Sequence, residues 1–295
     1  MKKRPLYSVV LILGSIILFF IGLSLLMLSF AKDGTLWSRG EKVGVIEVKG
    51  LIAEAQDTLK QLDKYRRNSQ IKAIVLRINS PGGAVGPAQE IWREINKIRK
   101  TKKIVASLGT VAASGGYYIA SAADLIIASP GTMTGSIGVI IRFANVEDLI
   151  KKLGLDFYDL KAGAFKDTGS PMRPMTPEEK AYLQNLLNNI HEQFIRDVAQ
   201  GRKLPLEKVR AVADGRILTG EEAKNLKMID EFGNLQDAIE KAGRLGGIVG
   251  KVEAIYPEKD KFSLWQLLFG QSLQETLSQL QLSPLVPAYL LSSGK

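Results

Sequence analysis

The sequence contains no cysteine. That absence excludes disulfides, thiolate metal centres and cysteine nucleophiles together. Histidine is nearly absent as well. The single one, His191, rules out a histidine-rich metal site, and a Ser–His–Asp triad would have to be built on that ring. The chain also lacks a basic stripe with interleaved aromatics, although its net charge is +10. Lys151, Lys152 and Lys161 lie among Glu147, Asp148, Asp156 and Asp159, so no nucleic-acid partner is expected. A solvated, mildly basic surface near anionic lipid accounts for the excess. With 295 residues, 45% of them hydrophobic and 24% charged, the chain can build one or two folded domains.

Residues 5–31 carry no charge. The run from Leu6 to Phe30 would span about 37 Å as a helix, enough for a hydrocarbon core of about 30 Å with some tilt. Lys2, Lys3 and Arg4 precede it, and the positive-inside rule keeps them cytoplasmic. Ser29-Phe30-Ala31 resembles a small-x-small cleavage site, but the apolar run is too long for a signal-peptide core. The expected arrangement is a cytoplasmic N-terminus (1–5), one transmembrane anchor (6–30), a connector (31–42) and an extracytoplasmic remainder of a cell-membrane protein.

Strand and helix patterns then alternate. Val43–Lys49, Ile71–Ile78, Ile104–Leu108 and Leu125–Ala128 read as strands, and Thr58–Asn68 and Pro87–Lys100 as helices. That alternation predicts an α/β fold with largely parallel strands. Thr176-Pro177-Glu178-Glu179 and Thr219-Gly220-Glu221-Glu222 are capping boxes. The first opens a long helix to about Gln200, with His191 beside its apolar stripe as an ordinary surface histidine. The folded domain is expected over 43–250. The pattern assigns no structure to the tail at 251–295.

Three small-residue segments carry candidate chemistry. Asn79-Ser80-Pro81-Gly82-Gly83 follows a strand; it suits either an ordinary turn or an oxyanion hole made of backbone N–H groups. Ala112-Ala113-Ser114-Gly115-Gly116 places a serine between a strand and a helix, as nucleophile or as helix cap. A serine nucleophile needs a base. With His191 on a helix flank, a lysine made neutral by burial is the remaining candidate. Lys166, behind Phe165 and among small residues, fits a desolvated pocket, but surface lysines are far commoner.

Taken together, RINSPGG (77–83), AASGGYYIA (112–120), TGSIGV (134–139) and GAFKDTGSPMRPMT (163–176) resemble the signal peptide peptidase family of the SppA type, short single-domain form. The resemblance covers about residues 40–245 and includes the Asp214-Gly215-Arg216 segment. It implies a Clp-protease/crotonase-like fold of stacked β-β-α units. It implies Ser114 as nucleophile, Lys166 as general base and Ser136 as the serine that orients the lysine. Gly83 and Gly115 would supply the oxyanion N–H groups, with Gly82 as the fallback for the first. No cofactor or metal is required. The resemblance also implies signal-peptide substrates and a homo-oligomer, octameric in the short form. Alternatives are a stomatin-clipping type of membrane Ser–Lys protease and an inactive anchored scaffold; a crotonase-type acyl-CoA enzyme would not need an export anchor.

Overall fold

The computed structural model describes residues 5–32, 40–257 and 288–290, with side chains for residues 12–25 and 40–257. It forms two compact units, Met1–Gly40 and Glu41–Lys295. The first is one helix, α1 (Pro5–Lys32), and its described apolar side chains, such as Leu18, Phe19 and Leu25, are exposed. Residues 12–25 rise only about 21 Å. Among the described residues, no helix is long and apolar enough to cross a membrane.

The second unit runs β1 (Lys42–Ile52), α2 (Gln56–Arg67), β2 (Ile71–Ala84), α3 (Val85–Ile98), β3 (Lys103–Ala113) and α4 (Gly115–Ser121). It continues with β4 (Leu125–Ala128), β5 (Met133–Gly135), α5 (Glu147–Lys152), α6 (Pro177–Arg202) and α7 (Leu206–Arg210). It closes with β6 (Ile217–Thr219), α8 (Gly220–Asn225), β7 (Glu231–Phe232), α9 (Leu235–Leu245), β8 (Glu253–Ile255) and β9 (Ala288–Leu290). The result is a mixed α/β fold on a largely parallel sheet, as the alternating pattern predicts.

The sheet's register explains the sequence pattern. Val45, Val75, Val105 and Leu125 are cross-strand partners, and so are Ile46, Leu76, Ala106 and Ile126. Successive residues of a strand face opposite sides. One set meets Ala238, Ile239 and Ala242 of α9. The other meets Leu62 of α2, Ile91 and Ile95 of α3, Tyr117 of α4 and Phe194 of α6. A parallel sheet covered on both faces therefore reads as continuous apolar runs rather than as alternation. At 43–46 every position but Gly44 carries an apolar side chain for this reason, and Gly44 leaves room for the ring of Tyr65.

Three strands extend past their expected ends, β1 by running on to Ile52. β2 continues through Ser80-Pro81-Gly82-Gly83 to Ala84, and β3 continues to Ala113. Register shifts between Ile78 and Ser80 and between Lys49 and Leu51 re-aim the chains, which then pair again as Ser80 with Ala112 and Ile52 with Gly83. β5 and β6 join this distal layer beside β3. The small-residue segments are thus the far ends of strands instead of free turns. Beyond the expected boundary at 250, β8 adds a parallel edge strand to β1. β9 pairs antiparallel with β2 at Gly82–Ala84. The rest of the expected tail, 258–287 and 291–295, lies outside the described residues, as do residues 33–39 of the expected connector.

Both expected capping boxes form. The Thr176 side chain accepts from the Glu179 N–H, and Thr219 accepts from the Glu222 N–H. A third box at Asn234 opens α9.

Candidate active site

Ser114 stands between the end of β3 and the first turn of α4, and it is completely buried. Its backbone has φ 53° and ψ −119°, a conformation that costs an L-residue energy and persists only when neighbours hold it. Its N–H donates to the Gly135 carbonyl at 2.8 Å, and its carbonyl accepts from the Tyr118 N–H at 2.8 Å. Among the described residues its hydroxyl has no hydrogen-bond partner. A cap serine would use that oxygen on its own helix; this one does not.

The oxyanion candidates crowd the same point. The Ser80 hydroxyl accepts from the Gly82 N–H at 3.1 Å and donates to the Gly82 carbonyl at 3.3 Å. That bond occupies the Gly82 N–H, which removes the fallback donor. A Cβ on Gly83 would lie 2.1 Å from the Ile52 carbonyl, and one on Gly116 would lie 2.8 Å from the Ser80 carbonyl. Glycine is required at both places by close backbone approach. Gly115 opens α4, where backbone N–H groups have no acceptor within the helix. Asn79 ties the two strand ends together by accepting from the Val111 N–H at 3.2 Å.

Ser136 lies next to Gly135, whose carbonyl holds Ser114, so the fold brings the two serines to one place. It too has positive φ, 52°, and its N–H donates to the Arg216 carbonyl at 2.8 Å. The Asp214–Arg216 segment is therefore a brace. Arg216 hydrogen-bonds the Asp214 carboxylate and lowers its pKa to about 2. Ser136, Asp214 and His191 line a cavity of about 350 Å3. His191 is half-buried there, and its Nε2 is enclosed without a partner among the described residues. Sequence periodicity put it beside the apolar stripe but gave no sign of this cavity.

Lys166 does not join them within one chain. It is exposed in a turn closed by its own N–H donating to the Gly163 carbonyl at 3.1 Å, and its ammonium has no bond to Ser114 or Ser136. The described residues do not form the desolvated pocket expected around it. Gly163, with φ 102°, and its small neighbours serve the turn instead of lining a pocket. Beneath the turn, Lys161 and Arg173 both pair with Asp167, and Arg173 also pairs with Glu179. Arg173 and Lys161 hold the Asp167 carboxyl far below its usual range. Arg173, helped by the Thr176 N–H, lowers Glu179 to about 2. The arm leading to this turn exposes Leu149, Leu153, Leu155, Phe157, Tyr158 and Leu160. Among the described residues no cluster of His, Asp and Glu is arranged to hold a metal ion.

The sequence matches Peptidase family S49 over residues 96–248 and the Clp protease family over residues 43–134. A putative protease of Synechocystis sp. is 41% identical over 244 residues, covering 82% of this chain and 88% of that protein. A putative protease of Methanocaldococcus jannaschii is 34% identical, covering 84% of each chain. A putative signal peptide peptidase SppA of Enterococcus faecium is 36% identical over 214 residues, covering 68% of this chain and 62% of that one. Both the parallel sheet and the strained serine at its edge have a place in such a lineage: this chain belongs to Peptidase family S49 and is a serine peptidase of the SppA type.

Proposed function

We propose that the chain is a membrane-anchored endopeptidase that degrades remnant signal peptides outside the cytoplasm, using Ser114 as nucleophile and Lys166 as general base. The observation that carries this reading is Ser114 itself: strained, buried and with a hydroxyl that has no partner among the described residues. Neutral Lys166 takes the hydroxyl proton as the Ser114 oxygen bonds to the peptide carbonyl carbon. The Gly83 and Gly115 N–H groups hold the resulting oxyanion, and Ser136 orients the lysine. The C–N bond breaks as the lysine returns the proton to the leaving amine. Water then releases the acyl group.

Three observations support the wider reading. β9 lies antiparallel on Gly82–Ala84, so this edge accepts an extended segment of chain in the way a peptide substrate would bind. The run at 5–31 carries no charge in the sequence, which suits an anchor. The apolar arm at 149–160 is a surface for self-association, and assembly through it would supply the desolvation that a lysine base needs.

The test is cleavage of a fluorogenic peptide with apolar residues, by the full chain in neutral detergent. Ser114→Ala and Lys166→Ala are expected to fall to background while folding and assembling as wild type does. Activity is expected to rise from acidic toward alkaline pH, because the base must first lose its proton. Retained activity in Lys166→Ala would reject the dyad. An inert wild type would reject the peptidase assignment of these residues.

A further inference from the structure

The C-terminal ends of α6 and α8 enclose a cavity of about 580 Å3, within the usual range of small-molecule sites. Arg202, Lys203, Lys208, Lys224 and Lys227 line it, against one carboxylate, Asp230. That carboxylate is already engaged. Arg202 donates to its two oxygens at 2.7 and 2.9 Å, and the Ile126 N–H donates to it at 2.7 Å. The Lys224 ammonium donates to the Asp230 carbonyl at 2.8 Å. Among the described residues Lys203, Lys208 and Lys227 have no partner for their ammonium groups. Every unpaired charge in the lining is therefore positive.

The backbone supplies a second observation. Only four non-glycine residues among those described have positive φ. Two are Ser114 and Ser136, and the other two are Lys203 (54°) and Lys227 (60°). Glycine is the ordinary occupant of such positions after a helix. A lysine there strains the chain and brings a cation to the rim of the cavity. Complementing helix dipoles would explain cations near the ends of α6 and α8. It does not explain why lysines from three separate helix ends, Lys208 of α7 among them, line one cavity.

We infer that this cavity binds a phosphate-bearing anion, either a soluble phosphate ester or the headgroup of an anionic lipid. Lysine ammonium groups are compact charges suited to phosphate oxygens, and the lining offers three of them free around one space. None of these residues belongs to the Ser114 site, so the inference stands apart from the peptidase reading.

Isothermal titration of the full chain in neutral detergent with inorganic pyrophosphate tests it. Saturable binding that weakens as sodium chloride is raised is expected. In the double variant Lys203→Gly, Lys227→Gly, affinity should fall at least tenfold, while the thermal midpoint holds or rises because glycine relieves both strained positions. The paired readout separates a ligand site from helix-end stabilisation, which would leave binding unchanged. Absence of saturable binding to wild type, or equal affinity in the variant, overturns the inference. Displacement of pyrophosphate by monomeric dihexanoyl phosphatidylglycerol, but not by glycerol 3-phosphate, assigns a lipid headgroup. The reverse assigns a soluble ester, and displacement by neither overturns the phosphate-ester assignment.

Discussion

At Ser114, the proposed nucleophile, the backbone holds a sparsely populated conformation that costs an L-residue roughly 1–3 kcal/mol. Neighbours keep it there. The Gly135 carbonyl fixes the Ser114 N–H, and Tyr118, one turn on, donates its N–H to the Ser114 carbonyl. Tyr118 is itself pinned, since its hydroxyl bonds Asp197 and its ring makes tilted contacts with those of Trp92 and Phe194. Burial raises the Asp197 carboxyl pKa, with the Tyr118 hydroxyl acting against that shift. Ser80 has a comparable role on the opposite wall, shaping the Gly82 turn so that Gly83 follows at the strand edge. Gly83 gives the sharpest test at this scale. In Gly83→Ala the new methyl would stand 2.1 Å from the Ile52 carbonyl oxygen, a backbone atom that cannot step aside without breaking the β1–β2 pairing. Loss of that N–H from the oxyanion position is expected to lower kcat by about 100-fold or more. Steady-state kinetics on the folded variant would check it, and near-wild-type kcat would remove Gly83 from the site.

Among the elements, the arm that carries Lys166 is held by charge more than by packing. Arg173 bridges Asp167 and Glu179, and Glu179 also closes the capping box of α6 by accepting from the Thr176 N–H at 2.9 Å. Such a cap is worth about 1 kcal/mol. The Glu179 pKa drops from 4.5 to about 2 on folding, chiefly through Arg173. A depressed carboxylate stabilises the fold above its unfolded value and loses that contribution as pH falls through the folded one. Segment 161–176 should therefore be protected from hydrogen exchange at pH 6, and should open progressively between about 4.5 and 2. In Arg173→Gln the segment should already be open at pH 6. Protection that does not change with pH in wild type would contradict this account.

For the whole molecule, the proposed base is exposed while the proposed nucleophile is buried. Lys166 is exposed and bonds neither serine, while the neighbouring arm leaves Leu160 and Tyr158 almost fully in solvent. A lysine base needs desolvation, which the described residues do not give Lys166. An isolated chain is thus expected to be a poor peptidase, and activity per chain should fall on dilution below the assembly threshold. Size-exclusion chromatography with light scattering, run beside a rate measurement across the same concentrations, checks this. Constant specific activity through a transition to monomer would show that one chain completes its own site. Leu160→Glu should shift the transition to higher concentration, because it places a charge in the surface proposed for self-association.

Local sequence determined a good deal. The alternation of strand and helix patterns marked the parallel sheet, because parallel neighbours need a crossover between them. The threonine–glutamate spacing marked the starts of α6 and α8, because a cap is built from four consecutive residues. Ser114 stood out by its small neighbours, which the crowding at Gly116 now explains. What only tertiary structure decided depends on contacts between distant segments. The Gly82 N–H is taken by Ser80, His191 faces the cavity beside Ser136, and α9 covers the second face of the sheet. The exposure of Lys166 belongs to the same class. Burial is set by everything that packs around a side chain, and the residues beside Lys166 in sequence encode a turn, not the surroundings that would make it a base.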